Sequence, residues 1–242
     1  MRFRKSIPSI FTIFNMFSGF LAILQIFQGH YITAVTLIIL ASIFDGLDGK
    51  VARLLQQSSD FGIEFDSLAD IISFCAAPAL LVHDLYVADL GFIGAIISFF
   101  PLLFGGLRLA RFNLHATYIK KPWYSGLPVP ASALTIGSFV WFNYVLFGNY
   151  GDSKIALPMV IVLSFLMVST IRFSAKITIS FKQGLFISIR SASIILLVLA
   201  ALIFQGYVIF PIMFMFIVTH ILMWLVGYEE PRVHFSLRRK DR

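Results

Sequence analysis

The sequence predicts an all-α polytopic integral membrane protein, and three observations carry that prediction. Hydrophobic residues make up 59% of the 242 positions, with 27 Phe among them. Charged residues make up only 13%, about half the usual share of a soluble domain. Apolar stretches long enough for a helix to cross a bilayer, roughly 20 residues each, recur along the whole chain, so one cleavable signal peptide cannot account for them. Mean hydropathy is +0.89. The length suits one helical bundle and not a bundle with an added soluble catalytic domain.

Eight spans are expected, at 9–27, 31–53, 63–83, 91–112, 129–147, 156–173, 185–204 and 207–227. Short polar or glycine-bearing stretches separate them: "QGH", "QQSSDF", "DLYVADLG", "GNYGDSK" and "FQG". The apolar runs are long and lack period-two alternation, which argues against strands. No repeat of fixed period and no low-complexity segment interrupts them.

Positive charge then orients the spans. With a cytoplasmic N-terminus, Arg2, Arg4, Lys5, Lys50, Arg53, Arg108, Arg111, Lys120, Lys121, Arg172, Lys176 and Lys182 fall on the inner side. The tail adds Arg232, Arg238, Arg239, Lys240 and Arg242, against Lys154 alone outside and Arg190 within a helix. Lys and Arg gather where insertion retains them, so both termini are expected in the cytoplasm. The net charge of +7 accordingly points to anionic lipid and not to nucleic acid. A single cysteine, Cys75, excludes an intramolecular disulfide and reads as a small packing residue.

Against this background the stretch Phe44–Asp70, "FDGLDGKVARLLQQSSDFGIEFDSLAD", is anomalous: it holds six of the twelve acidic residues. Asp45 and Asp48 are three apart, Asp66 and Asp70 four apart, so each pair projects from one helix stripe. Two spans joined by a short loop are antiparallel neighbours, and their stripes can meet. An Asp in a membrane helix costs about 2.5–3.5 kcal/mol at the bilayer centre, and like charges add to that. A divalent cation, or a pair of them, would compensate. Oxygen ligands without His or Cys favour Mg²⁺, Mn²⁺ or Ca²⁺ over zinc. Asp60 and Glu64 sit in the loop or just after it and read as solvated. Gly49, Ala52 and Gly62 leave room beside the carboxylates, and with Arg53 they suit the walls of a phosphate-bearing pocket; tight helix packing is the alternative use of such small residues.

Written out, the stretch is Asp45-x2-Asp48-Gly49-x2-Ala52-Arg53-x8-Gly62-x3-Asp66-x3-Asp70. It resembles the signature of the CDP-alcohol phosphotransferases, matched at all eight fixed positions. The resemblance implies a six-helix membrane core over residues 1–175, usually a homodimer, with its site open to the cytoplasm. Residues 176–227 would add two C-terminal transmembrane helices and 228–242 a basic cytoplasmic tail. The implied reaction displaces CMP from a CDP-linked lipid or alcohol by a hydroxyl acceptor. On that pattern Asp45, Asp48 and Asp66 hold Mg²⁺ or Mn²⁺, two ions per site. Asp70 is the candidate base and a further metal contact, while Gly49, Ala52, Arg53 and Gly62 contact the CDP portion. Such a site needs no covalent enzyme intermediate, because charge compensation and positioning supply most of the acceleration in phosphoryl transfer.

Other stretches bear on the substrates. The opening Pro8-Ser9-x2-Thr12-x2-Asn15-x3-Gly19 resembles the family's "PNxxTxxNxxxG", with Ser9 where Asn is usual. Asn15 shares a face with Thr12 and Gly19 and could reach a ribose or base edge, or simply bond a neighbouring helix. "LRLARFN" and "SGLPVPAS" resemble the serine-specific branch of the family, the phosphatidylserine synthases of bacterial and archaeal membranes. Serine carries a carboxylate, which the planar guanidinium fork suits. Arg108 and Arg111, with Asn113 for the amine or carboxylate, are therefore the candidate serine-binding residues. The expected partners are CDP-diacylglycerol or a CDP-linked ether lipid, L-serine, membrane lipid and a second copy of the chain.

Two other readings compete. Another transferase of the same family, such as a phosphatidylglycerophosphate synthase with an anionic acceptor, would also want these cations. A divalent cation transporter could use four Asp as an ion site, but it would place them mid-bilayer with a route to both faces. A zinc hydrolase is disfavoured, since His30, His83, His115, His220 and His234 show no metal-ligand spacing.

Overall fold

A computed structural model of the chain describes residues 10–55, 60–116, 124–173 and 205–227. The protein is an all-α polytopic membrane protein. Helix α1 runs Ile10–Phe27 and α2 Tyr31–Leu55. Between them the "QGH" turn closes with Gly29 at φ 74°, where a side chain would be strained. The amide of Gly29 donates to the Ile26 carbonyl at 2.9 Å and that of His30 to Gln25 at 2.9 Å, satisfying carbonyls that the helix end leaves open.

The third segment is longer than the sequence suggests. Helix α3, Asp60–Asp70, passes into a wide π-helical turn at Ile71–Ala76, then α4 at Ala77–Val82. A second π-helical turn, His83–Val87, and a 3₁₀ turn, Ala88–Leu90, follow. The "DLYVADLG" stretch, expected to be a turn, is thus almost entirely helical. Reversal waits until Gly91, at φ 54° and ψ −127°. There α5, Gly91–Ala116, folds back along the preceding limb. The close return depends on Gly94, where a Cβ would stand 2.0 Å from the Val87 carbonyl oxygen.

Helix α6 spans Val129–Phe147, α7 Ser153–Val168, and α8 Ile209–Leu225. Asp152 caps α7, its side chain accepting from the Lys154 amide at 2.8 Å. The sixth expected span, 156–173, is corrected at its C-terminal end. Ser169 leaves the helical region at ψ 167°, and Arg172–Phe173 (β2) pairs antiparallel with Tyr124–Ser125 (β1). An all-helical reading missed this two-residue pairing because it is too short to show alternation. The seventh expected span, 185–204, and the basic tail lie outside the described residues.

Packing follows membrane logic. Small residues let backbones approach closely: Gly19 against Ser73, Gly105 against Cys75, Gly137 against Val35. Cys75 is fully buried, as expected of a packing residue. The core collects Ala22, Ile26, Ala34, Val35, Ile38, Phe74, Leu81 and Ile136 where α1, α2, the first π-helical turn, α4 and α6 meet. Large apolar side chains such as Phe17, Phe20, Phe92, Phe165 and Phe214 face outward, which only a lipid surrounding makes favourable. Ile10–Phe27, Tyr31–Val51, Phe61–Leu114 and Val129–Phe147 are long and apolar enough to cross a membrane. The third of these, at 54 residues, supplies both limbs of the fold-back at Gly91.

Candidate active site

Helix α2 delivers Asp45 and Asp48 in its last turns, and α3 delivers Asp66 and Asp70. The helices pack so that one carboxylate oxygen each of Asp45, Asp66 and Asp70 lies within 4.8 Å of the others. Asp70 is buried, 8% exposed, and the other two are half-buried. At that spacing and an effective dielectric of about 20, each like-charged pair costs about 3 kcal/mol. Asp66 Oδ1 is moreover buried with no hydrogen-bond partner among the described residues, a cost that a native interior seldom leaves standing. Three hard oxygen donors, no His or Cys with them, and one orphaned carboxylate oxygen fit a divalent cation.

Asp48 stands outside this trio: its carboxylate accepts a hydrogen bond from Thr12 Oγ1 of α1. One turn on, Asn15 of the same helix donates through Nδ2 to Asp70 Oδ1 at 3.1 Å. The buried stripe of α1, Thr12, Asn15, Gly19, Ala22 and Ile26, thus lines the cluster with donors at its N-terminal end. Asn15 is itself held, its backbone carbonyl accepting from Ser73 Oγ at 2.8 Å. Ser73 lies in the π-helical turn that directly follows Asp70. Thr12 is a fixed position of the opening motif, but nothing in the local sequence marks Ser73 as part of a site, since only tertiary packing brings it there.

The other expected site residues divide. Gly49 is exposed, and a Cβ there would meet none of the described residues within 4 Å, which leaves room beside Asp48. Gly62 is half-buried on α3. The side chains of Ala52 and Arg53 lie outside the described residues. Arg108 is buried, 8% exposed, on α5, the helix that packs against the π-helical turn following Asp70.

Arg111, one turn further along α5, is held by main-chain carbonyls. Its guanidinium donates to the Val168 carbonyl through Nη1 and to the Ser125 carbonyl through Nη2, each at 3.1 Å. These are carbonyls at the end of α7 and in β1. The "SGLP" stretch sits against the same place: Gly126 N donates to Ile171 O at 2.8 Å and Leu127 N to Leu166 O at 2.9 Å. Gly126 has φ 83°, and a Cβ on it would come within 2.2 Å of the Met167 carbonyl oxygen. Pro128 then precedes α6 and Pro130 occupies its first turn, as helix starts favour. The "ARFN" and "GLPVPA" stretches therefore meet in one structural junction between α5, α6 and α7. Asn113 joins α5 to α3, its Nδ2 donating to Glu64 Oε2 at 3.1 Å and to Ser67 Oγ at 3.0 Å. Glu64, exposed as expected of a solvated residue, gains that partner.

Comparison with known proteins adds the following. A family model described as CDP-alcohol phosphatidyltransferase matches residues 5–166. A CDP-diacylglycerol--serine O-phosphatidyltransferase of Helicobacter pylori is 37% identical over 170 residues, covering 69% of this chain and 70% of that protein. One so named from Methanocaldococcus jannaschii is 39% identical over 142 residues, covering 59% and 64%. The archaetidylserine synthase of Methanothermobacter thermautotrophicus is 39% identical over 148 residues, 60% of each chain.

Proposed function

This chain belongs to the CDP-alcohol phosphatidyltransferase family, and from that premise we propose that it makes phosphatidylserine. It transfers the phosphatidyl group of CDP-diacylglycerol, or of a CDP-linked ether lipid, to the hydroxyl of L-serine. The observation that carries this reading is the convergence of Asp45, Asp66 and Asp70 within 4.8 Å at one end of a membrane bundle.

The bond that forms joins the serine oxygen to the lipid-bearing phosphorus, and the bond that breaks joins that phosphorus to CMP. The serine hydroxyl proton passes to Asp70, whose second oxygen is free of the Asn15 hydrogen bond. Asp45, Asp48, Asp66 and Asp70 are the residues that would hold Mg²⁺ or Mn²⁺, two ions per site. Bound there, the ions supply charge compensation for the diphosphate and the departing CMP. Asp48 would exchange the Thr12 hydroxyl for that task. The open space over Gly49, with Ala52, Arg53 and Gly62, receives the CDP portion. Arg108, buried beside Asp70, supplies the cation for the serine carboxylate. Arg111 and Asn113, engaged with backbone carbonyls and with α3 respectively, shape the pocket wall.

The Lys and Arg distribution supports a cytoplasmic site with both termini on that side. A six-helix unit over 1–175, two further helices, a basic tail and a homodimer complete the reading.

Purified protein with Mn²⁺ and CDP-diacylglycerol, offered serine, glycerol 3-phosphate or inositol phosphate separately, tests it. Serine-dependent CMP release with phosphatidylserine formed, lost in Asp70→Asn, is the expected result. Release with another acceptor alone would move the substrate within the family. No release from a folded sample with any acceptor would return the transporter to consideration.

A further inference from the structure

Asn15 is fully buried, its amide nitrogen is committed to Asp70, and its main chain is pinned by Ser73. An ionised carboxylate only accepts, so the amide presents its NH₂ to Asp70, and its Oδ1 is buried with no partner among the described residues. One oxygen of Asp70 is thereby fixed toward α1, in a carboxylate that has an oxygen within 4.8 Å of those of Asp45 and Asp66. The pin is tight: Gly19, one turn beyond Asn15, allows Ser73 so close that a Cβ there would lie 2.3 Å from its Oγ and 2.6 Å from its Cα. Ser73 belongs to the π-helical turn that begins immediately after Asp70, and such turns recur where a helix must re-aim a side chain. Carboxylate, wide turn and α1 therefore form a closed loop, from Asp70 to Asn15, from Asn15 to Ser73, and back to Asp70 along the chain.

We propose that Asn15, braced by Ser73 across Gly19, is a positioning residue that orients the carboxylate of Asp70 for cation binding, and is not principally a nucleotide contact. The proposal rests on the reading of the Asp cluster given above. It replaces the direct ribose or base contact expected of Asn15 from its place on the first helix. Partners that orient ligating carboxylates change metal affinity or activity about 10–100-fold when removed.

The test uses the full chain in detergent as wild type, Asn15→Ala and Ser73→Ala. Mn²⁺ binding is read by electron paramagnetic resonance without any substrate, and CMP release is measured separately. Asn15→Ala is expected to bind Mn²⁺ ~10-fold more weakly and to lose ~10–100-fold in kcat, with KM for CDP-diacylglycerol within ~3-fold of wild type. Ser73→Ala should shift Mn²⁺ binding and kcat in the same direction by a smaller factor, and decides the matter alone if Asn15→Ala does not fold. A raised KM for the CDP-lipid with kcat and Mn²⁺ affinity unchanged would overturn the proposal in favour of a nucleotide contact. Wild-type behaviour of both variants would overturn it outright. Weakened Mn²⁺ binding together with CMP release that depends on an acceptor other than serine would uphold the positioning role and refute only the choice of acceptor.

Discussion

The two ends of α2 treat polar groups in opposite ways. Tyr31 at its start and Asp45 near its other end are about 21 Å apart along the helix axis at 1.5 Å per residue. At the first end, Tyr31 donates to Asp84 Oδ2 at 2.7 Å, and Tyr86 donates to the Tyr150 carbonyl at 2.5 Å. Tyr31 also meets Tyr150 edge-on at 5.0 Å, and Tyr150 stacks on Tyr144 at 5.4 Å. That end is a finished structure: an acid with a donor, hydroxyls with acceptors, rings packed as rings prefer. At the other end three carboxylates crowd together, the buried oxygens Asp66 Oδ1 and Asn15 Oδ1 have no partner among the described residues, and a Cβ on Gly49 would meet none of those residues within 4 Å. A membrane protein pays the cost of such an arrangement only where a ligand will complete it. The difference in satisfaction, and not the mere presence of Asp, separates the site from the scaffold.

Four changes should break or sharpen that contrast. The largest effect belongs to the unfinished end. Asp66→Asn or Asp70→Asn should lower the rate of CMP release on the order of 10³-fold, the scale for removing a preorganised electrostatic group, with a thermal midpoint at or above that of wild type. Relief of the repulsion among the three carboxylates accounts for the retained or increased stability. Loss of folding together with activity would contradict it.

Next, Arg108→Ala should raise KM for serine about 30-fold or more, since truncating one partner of a buried charge pair costs about 2–5 kcal/mol, while KM for the CDP-lipid changes little. An equal rise in both constants would remove Arg108 from the acceptor subsite. Arg111→Ala offers the counterpart. Two hydrogen bonds from a charged group are worth roughly 1.5–3 kcal/mol each in context, so a lowered unfolding temperature in detergent is expected, with KM for serine within a factor of a few. A specific rise in that KM without destabilisation would mean that Arg111 touches substrate after all.

The smallest effect belongs to the finished end. Tyr31→Phe removes one partly exposed hydrogen bond and should cost about 0.5–1.5 kcal/mol of stability, leaving kcat and both KM values as in wild type. A fall in activity there would show that the two ends are coupled.

How far the sequence announced all this depends on what each feature requires. The spacings Asp45/Asp48 and Asp66/Asp70 are properties of single helices, and the resulting stripes were legible directly. The apolar spans were legible for the same reason, to within a few residues at most ends. Helical reversal at Gly91 was less so, because "DLYVADLG" carries turn residues but also suffices for π and 3₁₀ turns. The trio of Asp45, Asp66 and Asp70, with Asp48 turned to Thr12, depends on how α1 packs across both acidic helices. Asn15 was visible as a polar residue on the α1 face, but its partner was not. Arg111 shows the same limit: an arginine three residues from Arg108 looks equivalent on paper. Only the end of α7 and the return of residues 124–127 make it a clamp on two carbonyls.

The most direct test of the central claim is to locate the metal. Crystals of the protein grown with Mn²⁺ and a CDP-lipid should give an anomalous scattering peak among Asp45, Asp66 and Asp70, with Asp48 released from Thr12 toward it. A peak elsewhere in the molecule, with the three carboxylates still bare, would contradict the account.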